Sequence, residues 1–212
     1  MAFSNHQNVL PDPNNTIDNA GGSGGTQNAG PGFASVQLTS EQPILQDMTN
    51  SGRVLARAFV AHKWKIAISY NPMTQTDFMR IYSFITNRRG GLNPFFVSLP
   101  QSRTPQNASF ASFSAGNNKL EAAAIALAGA TSLTIQKSSG YNYSSNGVPS
   151  PGDLFTISGA NSNHKKAYMV TRAETYDDYL GTRPSTNQVR LHFTPGLSKT
   201  LSAGDDFIFH NP

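Results

Sequence analysis

Cysteine is absent from this 212-residue chain, and its absence excludes several kinds of chemistry. Disulfide cross-links, thiolate nucleophiles and cysteine-ligated zinc all require that side chain. We also expect no secretory signal peptide. We therefore expect a soluble protein that is made in a reducing compartment.

Charged residues and long apolar runs are scarce as well. Only 13% of the residues are charged and 37% are apolar. No apolar run approaches the ~20 residues that a membrane-spanning helix needs, so we expect no membrane partner. The remainder is rich in Gly, Ser, Thr, Asn and Gln, which favours short strands and turns over long charged helices.

Motifs for catalysis or metal binding are also missing. The five histidines, at positions 6, 62, 164, 192 and 210, show no metal-binding spacing, and there is neither a nucleophile elbow nor a phosphate-binding loop. Asp177 and Asp178 are adjacent, whereas glycosidase carboxylates face each other across roughly 5–9 Å, so a solvated loop is favoured here. We predict no catalytic residue, no metal and no cofactor, and hence no enzyme.

Charge is distributed unevenly along the chain. Residues 1–50 carry a net charge of −4, whereas residues 51–110 carry +7. A basic block of this kind can bind nucleic acid or an acidic protein surface. Because no run of cations exceeds two, nucleic acid is the less favoured partner. The candidate interface cations are Arg53, Arg57, Lys63, Lys65, Arg80, Arg88 and Arg89.

The first 32 residues form a Gly/Asn-rich arm that ends in "NAGGSGGTQNAGPG". Such a segment has high chain entropy and little apolar surface to bury, which predicts flexibility in isolation. The alternative is an arm that becomes ordered only against a neighbouring subunit.

Residues 33–100 predict a β-sheet scaffold with one helix. Trp64, Ile66, Ile68 and Tyr70 alternate with polar or small residues, as in a strand with one covered face. The stretch "PFFVSLP" then predicts a short buried strand. Together with the helix between them, these segments predict a β–α–β arrangement.

The helix is predicted over residues 74–89. Thr74 is suited to the N-cap, with Asp77 three residues later. An apolar stripe at helical spacing should pack on the sheet, and Gly90 and Gly91 should provide a left-handed exit. The stripe consists of Phe78, Ile81, Tyr82 and Ile85.

The remainder predicts a connection over residues 101–129 and a small β-barrel or sandwich over residues 130–212. Short alternating strands are separated there by clusters of turn residues. The segments "SPGDLFTI" and "SAGDDFIF" repeat a Gly-Asp pair before a strand. A turn role for Asp153 and Asp205 is favoured over acid–base chemistry. The fold class is therefore mainly β, of the α+β type.

Tyrosines cluster in the loops of this second half. Aromatic loops on a β scaffold can stack on sugars or anchor protein contacts, and they can equally fill the core beneath the loops. The candidates for a glycan or protein contact are Tyr141, Tyr143, Tyr176 and Tyr179.

The order of these elements resembles a known family. The segment "LTSEQPILQDMTNSGRVLARAFVAHKWKIAISYNPMTQTDFMRIYSFITNRRGGLNPFFVSLP" is similar to the scaffold of distal-tail and baseplate-hub ring proteins of tailed bacteriophages. The features that carry the resemblance are "SGR", the strand that begins at Trp64, "YNPMT", the helix and the strand before Leu99. The second half is similar to small β-barrel decorations of such proteins.

The resemblance implies a structural virion protein that assembles as a homo-oligomeric ring, commonly six-fold. Its partners would be copies of itself and other tail tube and baseplate proteins, after assembly in the host cytoplasm. The helix would then brace the sheet of each subunit. A carbohydrate-binding module for host-surface glycans and a tube-junction or neck protein remain as alternatives.

Overall fold

A computed structural model describes residues 9–12, 31–58, 61–115, 118–137, 139–158, 166–175, 186–210 and 212. It is mostly β with few helices, which confirms the predicted fold class. The chain divides into two compact units, one of residues 1–41 and 63–99 and one of residues 42–62 and 100–212. Among the described residues, no helix is both long and apolar enough to cross a membrane.

Ten strands and three α-helices make up the described secondary structure. The strands are β1 (Phe33–Glu41), β2 (Ile44–Met48), β3 (Val54–Ala58), β4 (Lys63–Tyr70), β5 (Leu120–Ala122), β6 (Ser132–Gln136), β7 (Leu154–Ser158), β8 (Tyr168–Glu174), β9 (Gln188–Thr194) and β10 (Asp206–Ile208). The helices are α1 (Gln75–Asn87), α2 (Ala108–Ser114) and α3 (Tyr143–Asn146), and a 3₁₀ turn covers Pro100–Ser102.

In the first unit, β1 and β4 form an antiparallel ribbon. Val36 lies opposite Ile68 and Leu38 opposite Ile66, so the apolar residues of the two strands share one face. The alternation predicted for β4 is therefore present, but its apolar face is only partly covered, and Ile66 is 40% exposed. Two strands alone cannot bury a sheet face, which explains this partial coverage.

Helix α1 begins as predicted but ends differently. Thr74 is the N-cap, and its hydroxyl accepts from the Asp77 N–H and donates to the Asp77 carboxylate at 2.8 Å. The helix ends at Asn87, so Arg88 is the C-cap rather than a residue of the last turn. Arg89 itself takes the left-handed conformation, with φ of 53°, followed by Gly90 at 68°.

The second unit contains a closed six-stranded barrel with the strand order β10-β5-β6-β9-β8-β7. Phe155 is fully buried at its centre, where its ring lies 5.4–5.6 Å from four other aromatic rings. Helix α2 adds Phe110 and Phe113 to the same core. Residues 108–122, which the sequence presented as a connection, thus contribute both a helix and strand β5 to this unit.

The repeated Gly-Asp pairs form matching turns before β7 and β10. Asp153 accepts a hydrogen bond from the Ser150 N–H at 2.8 Å, and Asp205 accepts one from the Ser202 N–H at 2.9 Å. In each turn the preceding glycine, Gly152 (φ 95°) or Gly204 (φ 86°), is left-handed. Both carboxylates are buried as backbone acceptors, which agrees with the turn role rather than acid–base chemistry.

Candidate interaction surfaces

The β2–β3 hairpin is the most exposed apolar element in the described structure. Its strands pair with each other and with no other described strand, and every residue of β2 is exposed. Met48 lies opposite Val54, and they are 68% and 59% exposed. Ile44, Leu45 and Leu55 are also at least half exposed. An isolated hairpin with apolar residues on both faces is marginally stable in water, so this one is suited to a partner surface.

A turn fixes the tip of this hairpin. The Gly52 N–H donates to the Thr49 carbonyl at 2.8 Å, and the Thr49 N–H donates to the Arg53 carbonyl at 3.0 Å. Gly52 adopts φ of 78°, which L-residues avoid. This turn over residues 49–53 holds the two apolar strands in a defined register.

Helix α1 provides a second exposed apolar surface. The sequence predicted that Phe78, Ile81, Tyr82 and Ile85 would pack together on the sheet, and this is wrong for three of them. Phe78, Tyr82 and Ile85 are about half exposed, whereas Ile81 and Phe84 are buried. The buried face is thus rotated toward Phe84, whose ring meets Phe95 edge to face at 5.5 Å.

The exposed face of α1 is organised rather than scattered. Phe78 and Tyr82 stack with ring centroids 5.7 Å apart, and Met79 and Ile85 are also about half exposed. The segment after the helix, predicted from the sequence to be a short buried strand, forms only an isolated bridge in the described structure, and its Phe96 is 71% exposed. Exposed apolar and aromatic side chains of this kind are typical of protein–protein contact sites.

The seven predicted interface cations differ in exposure: two are buried or half-buried, and the other five are exposed. Arg88 is buried, with its guanidinium 4.5 Å above the Phe84 ring, so it stabilises the unit from inside. Arg80 is half-buried, 4.0 Å from the Asp77 carboxylate, and Lys65 lies 3.6 Å from Glu41. The cations that lie exposed are Arg53, Arg57, Lys63, Lys65 and Arg89.

Of the four tyrosines proposed for glycan contact, the structure describes two, and these two do not form an exposed platform. Tyr141 is buried, and its hydroxyl donates to the Gly147 carbonyl at 2.9 Å. Burial raises the pKa of this phenol. A buried ring cannot stack on a sugar, so Tyr141 belongs to the core. Tyr143 is half-buried at the start of α3, while Tyr176 and Tyr179 lie outside the described residues.

A shallow groove of about 460 Å³ separates α2 from α3 in the second unit. It is lined by Ala108, Ser109, Ser112, Phe113, Ser145 and Asn146. None of these side chains is a carboxylate, imidazole or amine, so the groove has no group suited to proton transfer.

In the barrel, the buried carboxylate of Glu174 lies beside two basic side chains. Glu174 is 4% exposed, and its Oε1 lies 3.2 Å from both Arg172 and His192. Adjacent β8 and β9 hold this group in place, because Arg172 lies opposite His192 in the sheet register. Within the described ranges, no group of three or more His, Cys, Asp or Glu is arranged to hold a metal ion.

Comparison with known families bears on the first half of the chain. Residues 24–102 match the family described as the N-terminal part of the A domain of distal tail protein pb9. The resemblance to phage distal-tail proteins is thereby confirmed for the segment that includes β1–β4 and α1. The match supports a structural role in a phage tail. No curated protein matches the chain.

Proposed function

We propose that this chain is a structural protein of a phage tail and that it assembles into a closed homo-oligomeric ring, six-fold in symmetry, at the tail tip or baseplate. There it joins the tail tube to peripheral baseplate or fibre proteins, after assembly in the host cytoplasm. The observation that carries the proposal is that the two exposed apolar surfaces lie within the residues that match the distal-tail family.

The apolar surfaces favour assembly for an energetic reason. Removing apolar surface from water stabilises a contact by roughly 25 cal/mol per Å². The β2–β3 hairpin and the exposed face of α1 leave large side chains half or more exposed, which include Met48, Phe78 and Tyr82. A single copy therefore leaves this stabilisation unused, whereas packing against another copy recovers it.

A cyclic ring also explains why the surfaces differ from each other. In a closed ring each copy presents one patch to the neighbour on one side and another patch to the neighbour on the other. The hairpin and the α1 face are two such patches. Exposed cations, among them Arg53, Arg57 and Lys63, provide polar contacts that orient the partners.

The proposal is tested by the mass and shape of the purified chain. Light scattering after size-exclusion chromatography should give an integral multiple of 22.8 kDa, and class-averaged electron micrographs should show a closed ring. The measurement is repeated with tail tube protein present, because a ring can require a template. A monomer at high concentration in both samples would contradict the proposal. Averages of whole tails would then distinguish tip, hub and neck positions.

A further inference from the structure

Residues Val9–Asp12 form a small anchor that is seated in the first unit. Val9 makes a parallel bridge with Phe96, and the Leu10 N–H donates to the Phe96 carbonyl at 2.8 Å. Leu10 and Asp12 are 5% and 3% exposed, and Pro11 is below 2%. This short piece of the N-terminal arm is therefore as buried as core residues, although it lies far in sequence from the strand that follows.

The surface that receives the anchor, which we call the socket, lies around Phe96 and Tyr70. The Tyr70 hydroxyl is buried and lies near Asp12. Burial, and secondarily the Asp12 charge, raises the pKa of Tyr70 to about 12. The anchor thus presents an apolar pair, Leu10 and Pro11, followed by an acidic side chain near a neutral phenol.

The connection between anchor and sheet is long enough to serve two copies. Eighteen residues, 13–30, lie between Asp12 and Pro31, where the described chain resumes ahead of β1, and five of them are glycine. Fully extended, they span about 60 Å, against a radius of gyration of roughly 13 Å for a 100-residue domain. An anchor on this connection can reach the socket of an adjacent copy as well as its own.

We propose that in the assembled ring the anchor of each copy occupies the socket of its neighbour, so that the N-terminal arms are exchanged around the ring. This inference rests on the ring proposed above. Exchange keeps the same contacts, and neighbouring sockets are present at high effective concentration in an assembly. The opposite charges of residues 1–50 (−4) and 51–110 (+7) attract between neighbouring copies as well as within one copy, so exchange loses none of this attraction.

The absence of cysteine allows a direct test by disulfide trapping. Val9 and Phe96 are bridge partners, so Val9→Cys and Phe96→Cys place two thiols within the usual range for a disulfide. The full-length double variant is purified as the ring fraction, oxidised and run on a denaturing gel without reductant. We expect a ladder of covalent multimers up to the ring size, which dithiothreitol collapses to one band. Coexpressed single variants, one carrying each cysteine, should give covalent dimers.

A matched control separates exchange from random oxidation. Val9→Cys combined with Leu92→Cys places the second thiol at another highly exposed position that does not pair with Val9, and we expect no ladder. A ring-sized fraction in which only intramolecular disulfides form would overturn the exchange and leave the ring intact. A monomer at all concentrations with intramolecular disulfides would contradict both proposals.

Discussion

Arg89 adopts a left-handed backbone conformation directly after helix α1, with φ of 53°. For a residue with a β-carbon this conformation costs about 1–2 kcal/mol, whereas glycine adopts it freely. We expect Arg89→Gly to raise the free energy of unfolding by about 1 kcal/mol, as measured by chemical denaturation. Gly90→Ala is the matched control, since Gly90 has φ of 68° and no atom within 4 Å of an added β-carbon. Gly90→Ala should lower the free energy of unfolding through backbone strain alone. If both changes shifted the free energy of unfolding in the same direction, the left-handed conformation assigned to Arg89 would be contradicted.

His62 gives the stability of the protein a dependence on pH. Its side chain is buried, and burial together with the nearby Lys166 cation lowers its pKa. Below about pH 6.5 the unfolded chain therefore binds a proton that the folded chain resists, so stability falls as the pH is lowered. We expect His62→Gln to flatten the dependence of the urea midpoint on pH between 6.5 and 5. Parallel pH profiles for the variant and the parent chain would show that His62 is not responsible.

At the residue scale the sequence is informative where side chains act locally. The role of Thr74 as N-cap and those of Asp153 and Asp205 as turn residues were predictable, because each depends on neighbours within three positions. The burial of Tyr141 was not, because a tyrosine in a polar loop has the same local pattern whether it faces solvent or the core. The cluster of Glu174 and His192 was also missed, since its members meet only through the strand register.

Helix α1 illustrates how an element can be predicted while its environment is not. Ile81→Asp should unfold the first unit, because it would bury a charge without a partner. Phe78→Asp is the matched control on the same helix, and since Phe78 is half exposed it should lower the melting temperature little. Circular dichroism melts measure both. Equal destabilisation by the two changes would indicate that Phe78 is buried like Ile81, as the sequence predicted.

The burial of Phe155 in the barrel core can be tested by truncating its side chain. Phe155 is fully buried among Tyr168, Phe193, Phe207 and Phe209, so Phe155→Ala should cost about 3–5 kcal/mol of unfolding free energy. The same truncation at Phe96, which is 71% exposed, should cost little in the isolated chain. Denaturant titration distinguishes them, and a mild effect at Phe155 would argue against a closed barrel.

The spacing of apolar residues predicts that an element is a helix, but not which of its sides is buried. A stripe at i, i+3 and i+4 identifies a helix, but the helix also carries Phe84, and only the tertiary partner Phe95 decides which side is covered. Strand β5 was missed for a related reason. Its three residues, Leu120–Ala122, lie in an alanine-rich run with helical propensity, and pairing with β6 and β10 overrides that propensity.

For the whole molecule, the family match and the exposed apolar surfaces both support the proposed structural role in a phage tail. The matched residues 24–102 contain the β2–β3 hairpin and α1, which hold most of the large exposed apolar side chains. Sequence alone could not show that these surfaces are open, since an apolar strand or helix face is normally expected to be buried. Only the structure shows that the described residues leave them uncovered.

If the β2–β3 hairpin is a subunit interface, charges placed on it should separate the copies of the ring. Met48→Glu combined with Val54→Glu places two charges opposite each other on the hairpin, at positions already exposed in the single chain. Ile125→Glu with Leu127→Glu is the matched control at two other exposed apolar positions. By light scattering we expect the parent and the control to have the mass of a ring and the hairpin variant to be a folded monomer of 22.8 kDa. A hairpin variant that retains the ring mass would show that the hairpin is not the subunit interface.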